Sequence, residues 1–359
     1  MPFGRLGVRV VIDKWAQDCY TSKMIEDDRI LLSHGGGGEK MHRLIEDVFA
    51  RGFSNPTLSS FEDASVFSIE NGSLAFTTDS YTVKPLFFSG GDIGKLAVCG
   101  TVNDLAMRGA KPLYLSASFI IEEGLELAIL TKIVDSMAET LKSAGVKIIS
   151  GDTKVVEKGC ADGLFITTTG VGVVKEGIDI SNRNARAGDR VIVSGPVGDH
   201  GVAVLLAREE FRLRAEISSD CAPLNGLVEQ MLKYARNLHT LRDPTRGGVA
   251  AVLNEIARSS EVGIILEESE IPIREEVRGV SEMLGLDPLY IPNEGMLVCV
   301  CSEETTAALV RLMRGHKYSH MATAVGRVVA SPKGVWLSTA IGGTRPLLMP
   351  EDEQLPRIC

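Results

Sequence analysis

Gly90-Gly-Asp-Ile-Gly-Lys-Leu-Ala-Val-Cys-Gly-Thr-Val-Asn103-Asp104-Leu-Ala106 is the stretch from which the architecture is read. Asp92 ahead of Gly94 supplies a helix cap, because its short side chain accepts hydrogen bonds from the first free backbone N–H groups. The helix that follows is apolar apart from Lys95, Thr101, Asn103 and Asp104. A carboxylate beside Val102, Leu105, Ala106 and Met107 is costly to bury alone, so an inward-facing Asp104 calls for a partner cation.

On either side of this helix, apolar strands run directly into acids. Leu74–Thr78 leads to Asp79, and Lys147–Ser150 leads through Gly151 to Asp152, Thr153 and Lys154. Each acid alone reads as a cap or turn residue. Together Asp79, Asp104 and Asp152 suit Mg²⁺, a hard ion that takes a few carboxylates plus phosphate oxygens.

Further strands are predicted at Leu113–Ile120, Leu164–Val174, Arg190–Ser194, Met296–Cys301, Val325–Val329 and Val335–Ser338, and a strand-like Arg29–Leu32 opens the ordered pattern. Helical spacing recurs in Met41–Phe49, Leu127–Leu141, Val249–Ile256, Val277–Leu284 and Thr305–Met313. The pattern is mixed α/β (α+β) and two domains are expected for 359 residues. A polar, turn-forming Asn182–Asp189 places the boundary near residue 180. The divisions are an N-terminal extension at 1–23, domains at 24–180 and 181–346, and a tail at 347–359.

A net charge of −9 argues against general binding to nucleic acid or anionic membrane. No apolar run approaches the roughly 18–20 residues needed to span a bilayer, and the N-terminus is not a convincing signal peptide. Seven cysteines without a CxxC pair fit neither a disulfide framework nor a structural zinc site, and point to a reducing cytoplasm.

Other segments carry candidate chemistry. Ser33-His34-Gly35-Gly36-Gly37-Gly38 has no Cβ barrier to close approach; it reads as an anion-binding loop opening a helix or as a flexible turn. In Asp243-Pro-Thr245-Arg246-Gly247-Gly248, Thr245, Arg246 and the glycine amides suit phosphate, or the segment simply caps a helix. Glu294, in Pro292-Asn-Glu-Gly295, is a possible base or ligand, or a turn carboxylate. The chain ends Pro350-Glu-Asp-Glu-Gln-Leu-Pro-Arg-Ile-Cys359. Its acids and prolines favour an extended segment spanning on the order of 30 Å at full reach, a swinging arm for a group carried on sulfur.

In this order, from about Asp27 to Cys359, these motifs resemble the HypE family of hydrogenase maturation proteins, within the PurM/AIR synthetase-like superfamily. Single motifs are shared with aminoimidazole ribonucleotide synthetase, selenophosphate synthetase and thiamine-phosphate kinase; the terminal Pro-Arg-Ile-Cys singles out HypE. The resemblance implies an N-terminal ATP-binding domain that dimerises through a shared β-barrel, a C-terminal α/β domain and a cytoplasmic homodimer. It implies an ATP-dependent carbamoyl dehydratase that makes cyanide ligands for [NiFe]-hydrogenase. Cys359 would receive a carbamoyl group from HypF, the thiocarboxamide would be dehydrated to thiocyanate, and the cyano group would pass to iron on the HypC–HypD complex. It also implies ATP held by the Ser33–Gly38 loop with Asn103, Thr153, Thr245, Arg246 and Gly247, Mg²⁺ on Asp79, Asp104 and Asp152, and Glu294 or Lys154 as base. Two rivals differ in outcome: a small-molecule ATP-dependent synthetase or kinase would be indifferent to losing Cys359, and a non-enzymatic scaffold would not hydrolyse ATP.

Overall fold

The computed structural model describes residues 30–50, 52–53, 62–70, 72–208, 215–351, 355 and 357–359. The extension at 1–23 and tail residues 352–354 and 356 lie outside them.

The first sheet contains β1 (Ser65–Ile69) and β2 (Gly72–Tyr81). A short hairpin, β3 (Phe87–Phe88) with β4 (Gly91–Asp92), then leads into the helix Ile93–Met107. The sheet continues with β5 (Ala110–Glu122), β6 (Lys147–Val156) and β7 (Leu164–Val174), in the order β1-β2-β7-β5-β6. Only the β5–β6 pair is parallel, and the helix Leu127–Ala144 makes the crossover that parallel neighbours require. Along β7 buried and partly exposed residues alternate, the period-two signature of a sheet with one covered face.

That face is covered by the helix Ile93–Met107, of which all residues but Lys95 and Asp104 are buried. Asp92 caps it as expected, accepting from Gly94 N at 2.8 Å and Lys95 N at 3.1 Å. The other face is different. Ile69, Phe76, Tyr114, Ile149 and Val173 are exposed there, and the edge strand β6 is exposed at every position except Val156.

The second sheet contains β8 (Arg190–Val193), β9 (Leu238–Arg242), β10 (Gly263–Glu267), β11 (Val298–Cys301), β12 (Thr323–Val329), β13 (Gly334–Ser338) and β14 (Thr344–Pro346). Their order is β14-β13-β10-β12-β8-β11-β9, antiparallel except for β10 with β13. Val298 and Val300 face a core with Val249, Val252, Leu253 and Ile256 of the helix Gly248–Ser259. Cys299 and Cys301 face the opposite side with Leu227 and Met231, so both thiols are packing groups, as their alternation suggests. Ala106 and Met107 join that second core, so the end of the first domain's helix is rooted in the second domain.

Two sequence expectations are corrected. Of the expected strand Arg29–Leu32, Arg29 lies outside the described residues, Ile30 and Leu31 are not in a strand, and Leu32–Gly35 is a 3₁₀ turn closed by Leu31 N–H donating to His34 Nδ1 at 2.9 Å. β6 does not stop at Ser150 but continues through Asp152 and Lys154 to Val156, because Gly151 lets it lie against the Ala117 carbonyl of β5.

Asp92→Ala removes two capping bonds from the central helix. It is expected to cost about 1 kcal/mol, read as a lower urea midpoint with an unchanged denaturant slope.

Candidate active site

A cavity of about 280 Å³ lies between the two sheets. Three acids meet there from three segments: Asp63 before β1, Asp104 on the buried helix and Asp243 just after β9. One carboxylate oxygen of each lies within 4.8 Å of the others. Thr77 Oγ1 donates to Asp104 Oδ2 at 2.8 Å, and Asp63 Oδ2 is buried with no hydrogen-bond partner among the described residues.

Burial and mutual repulsion raise the proton affinity of all three acids. Desolvation, then the charges of Asp79, Asp243 and Asp63, holds Asp104 well above the usual carboxylate range. Desolvation dominates at Asp63 also, although Arg242 opposes it. Asp243 is pushed up to about 6, again mainly by burial. Arg242 is the fixed counter-charge, with Nε 2.6 Å from Asp63 Oδ1 and Nη1 2.7 Å from Glu255 Oε2. Glu255 in turn lies 3.2 Å from His42 Nε2. Two guanidiniums, Arg242 and Arg246, are outnumbered by the acids lining the cavity, Glu62, Asp63, Asp79, Asp104, Asp243, Glu255 and Glu294. Three convergent carboxylates, one with an orphaned oxygen, fit a hard divalent cation.

Glu294 is 2% exposed and its Oε1 has no partner among the described residues. Desolvation, with Cys221 and the acids around it, raises its pKa well above the ordinary value. Its backbone is fixed by Asp220, which accepts from Glu294 N and Gly295 N at 3.1 Å each. Such a carboxylate is positioned, desolvated and unspent, the features of a general base.

Cys359 also lines the cavity. The end of the tail runs beside Thr82–Lys84: Thr82 N donates to Cys359 O at 3.1 Å and Lys84 N to Arg357 O at 3.2 Å. Arg208 Nη2 donates to the same Arg357 carbonyl at 2.9 Å, and Arg357 Nε donates to Thr82 O at 2.9 Å. Ile358 and Leu355 are buried in the first core. The end of the arm is thus docked, with Cys359 on the cavity wall.

The glycine loop closes over this arrangement. Gly37 has φ +74° and lies against Arg246, where a Cβ would come within 2.6 Å of the arginine Cβ. Gly38 lies against the Pro350 carbonyl, to which Glu39 N donates at 3.0 Å. Arg246 Nη2 is 3.9 Å from Asp79 Oδ1 on the cavity wall. Burial lowers the affinity of Arg246 for its proton, but Cys359, Asp79 and Asp104 more than offset it, so the cation is firmly held.

Two family models match the chain: the N-terminal domain of AIR synthase related proteins over residues 61–174 and their C-terminal domain over residues 186–337. The chain is 49% identical over 336 residues to the carbamoyl dehydratase HypE of Azotobacter vinelandii, covering 93% of this chain and 98% of that one. The chain belongs to the HypE family. Among solved structures, a HypE–HypF complex matches with TM-score 0.82 and 51% identity, covering 86% of this chain and 99% of that one. HypE in complex with ATP matches with TM-score 0.78 and 46% identity, covering 92% and 100%.

The HypE fold brings Asp79, Asp104, Thr245, Arg246, Gly37, Glu294 and Cys359 onto one cavity. Gly247 sits just behind, at the start of the helix Gly248–Ser259, and Ser33, His34, Gly35 and Gly36 form the turn before Gly37. Other residues are elsewhere. Asn103 is turned to the domain seam: its amide donates to Ala222 O and Glu294 O and accepts from Leu224 N. Asp152, Thr153 and Lys154 lie exposed on β6 outside the cavity of their own chain, with Lys154 Nζ 3.4 Å from Asp152 Oδ2. In place of Asp152, Asp63 and Asp243 stand beside Asp104. Asp243 was in view as the first residue of the Asp-Pro-Thr-Arg motif. Asp63 stands in the sequence Phe61-Glu-Asp-Ala64, which has no periodicity to mark it.

The raised pKa of Asp243 has a definite sign. Its folded value of about 6 exceeds the unfolded one, so its contribution to stability is present at low pH and lost as pH rises through about 6. A cation competes with that proton. Mg²⁺ is therefore expected to raise the thermal midpoint more at about pH 7.5 than at about pH 5. Asp63→Asn and Asp243→Asn should each abolish that difference; a Mg²⁺ response that persists in both would remove these acids from the metal site.

Proposed function

We propose that this chain is an ATP-dependent carbamoyl dehydratase whose carrier is its own last residue. The observation that carries the reading is Cys359 docked in the acid-lined cavity that also holds Glu294 and Arg246. Near-full-length identity to carbamoyl dehydratase HypE, and structural likeness to HypE bound to ATP and to HypF, support it.

The chemistry follows from a poor leaving group. In the thiocarboxamide S–C(=O)–NH₂ the carbonyl oxygen attacks the γ-phosphorus of ATP. The new O–P bond forms as the bond to ADP breaks, and one N–H proton departs to give an imidate. Removal of the second N–H proton then drives C–O cleavage, leaving S–C≡N and inorganic phosphate. Glu294 is the group in the cavity suited to take each proton in turn, passing the first to solvent before it takes the second, since burial strengthens its carboxylate as a base. Phosphoryl transfer is chiefly positioning and charge neutralisation. Arg246 and the Gly37–Gly38 loop bound the space above the acids, and Thr245 opens toward it. Mg²⁺ would be held by Asp63, Asp104 and Asp243, with Asp79 alongside, and would neutralise phosphate charge there.

HypF is the carbamoyl donor in this reading, and the HypC–HypD complex takes the cyano group. The exposed apolar face of the first sheet supports a homodimer formed through that face. Such pairing would place Asp152, Thr153 and Lys154 of β6 against a second copy. The seven cysteines without paired spacing support a cytoplasmic setting, and no helix among the described residues is long and apolar enough to cross a membrane.

Intact mass spectrometry after incubation with HypF, carbamoyl phosphate and Mg·ATP tests the reading: a carbamoyl adduct should appear on Cys359 and then lose one water. Cys359→Ala should bind ATP and acquire no adduct. Glu294→Gln should load normally and dehydrate roughly 100-fold more slowly or worse. An adduct that never loses water in the wild type would reject the assignment, and a wild-type rate in Glu294→Gln would clear that residue of the base role.

A further inference from the structure

One short segment, Ser219-Asp220-Cys221, is bonded both to His200, which contacts the docked tail, and to the loop that carries Glu294. His200, near the start of the helix Asp199–Ala207, is completely buried. Its Nε2 lies 3.0 Å from the Ile358 carbonyl oxygen and its Nδ1 lies 2.8 Å from Ser219 Oγ. A carbonyl only accepts, so Nε2 carries the proton and Nδ1 accepts from the serine hydroxyl. Ser219 Oγ in turn accepts from Cys221 N at 3.0 Å. Between them, Asp220 accepts from Asn293 Nδ2 at 2.8 Å as well as from the backbone of Glu294 and Gly295. Gly295 lies so close to the Asp220 carbonyl that no side chain fits between them. The edge of Phe88, 5.4 Å from the imidazole between ring centres, completes the packing, and burial favours the neutral ring.

We propose that His200 is a positioning residue for the dehydration step. It clamps the Ile358 carbonyl and, through Ser219–Cys221, holds the tail sulfur and Glu294 in a common register. The imidazole touches neither the carried group nor Glu294; it acts on the peptide next to the carrier. This inference rests on the function proposed above, and two readouts separate the two claims.

The first readout needs no turnover. Alkylation of Cys359 by iodoacetamide is measured relative to the exposed Cys160 of the same chain. Loss of the clamp in His200→Ala should raise that ratio several-fold. The second uses protein already carbamoylated on Cys359 and freed of nucleotide, mixed with saturating Mg·ATP. Its rate of water loss should fall roughly 10- to 100-fold in His200→Ala, the scale of a misplaced reacting group, with the ATP concentration for half-maximal rate unchanged. His200→Gln, whose amide N–H points at the same carbonyl, should recover most of the loss in both readouts. Ser219→Ala leaves the ring in place but removes its Nδ1 donor. It should shift both readouts in the same direction, and it decides the matter should His200→Ala fail to fold. Wild-type alkylation ratios in His200→Ala and Ser219→Ala, or equal impairment of the Ala and Gln variants, would overturn the clamp. If loaded wild-type protein loses no water, the functional reading falls and the alkylation ratio still decides the positioning claim.

Discussion

Asp63, Asp104 and Asp243 converge within a few ångströms, and like charges at that range in a partly desolvated site cannot all ionise without compensation. The surrounding architecture answers to this constraint. Arg242 is buried between Asp63 and Glu255, with both of its ion pairs shorter than 3 Å. Its guanidinium supplies charge from the second domain to an acid of the first, so the seam between the sheets is an electrostatic joint as well as an apolar one. Glu62, next to Asp63, extends the joint by pairing with Arg108 and accepting from Asn182 N at the interdomain connection. Removing one acid from such a set relieves repulsion but strands Arg242. The deficit of positive charge that remains makes the site a receptor for a cation and its phosphate ligands.

Much of the fold was legible because apolar periodicity maps directly onto cover. The central helix, its Asp92 cap and the strands of the second sheet with alternating Val and Cys were readable for that reason. Strand β9 was not: Leu238-His-Thr-Leu-Arg242 looks like a surface segment but is buried along its whole length. Its polar side chains are satisfied one by one, His239 by Asp189, Thr240 by the Ser181 carbonyl and Arg242 by its acids. Composition cannot anticipate partners that distant in sequence. The same limit governs the acids. Both acids that looked like strand-end carboxylates lie within their strands: β2 runs past Asp79 to Tyr81 and β6 runs past Asp152 to Val156. Of the two, Asp79 lines the cavity while Asp152 lies on an exposed edge strand. Asp63 carried no local signal at all, because only the pairing of β1 with β2 brings it beside Thr77.

The docked tail shows how little of a carrier need be apolar to be held. Ile358 and Leu355 insert into the first core, while the backbone of Arg357 and Cys359 is bound along Thr82–Lys84. Arg357 itself adopts φ +55°, a left-handed backbone that is unusual for a residue with a side chain. Its guanidinium compensates by bonding to Thr82 O and pairing with Asp162. Apart from the buried bond of His200 to the Ile358 carbonyl, the holds are hydrogen bonds and ion pairs nearer the surface and apolar contacts of two side chains, a set that can be undone without unfolding the domain.

Because the sulfur belongs to the same molecule as its receptor, its encounter with the pocket is an intramolecular event. The local effective concentration of carrier is set by tether length and docking geometry, and dilution of the protein leaves it unchanged. Saturation behaviour is then to be expected for the nucleotide alone. It follows too that a chain with a filled terminus is spent until another molecule empties it, so throughput scales with the number of chains relieved of cargo and not with the speed of any one pocket.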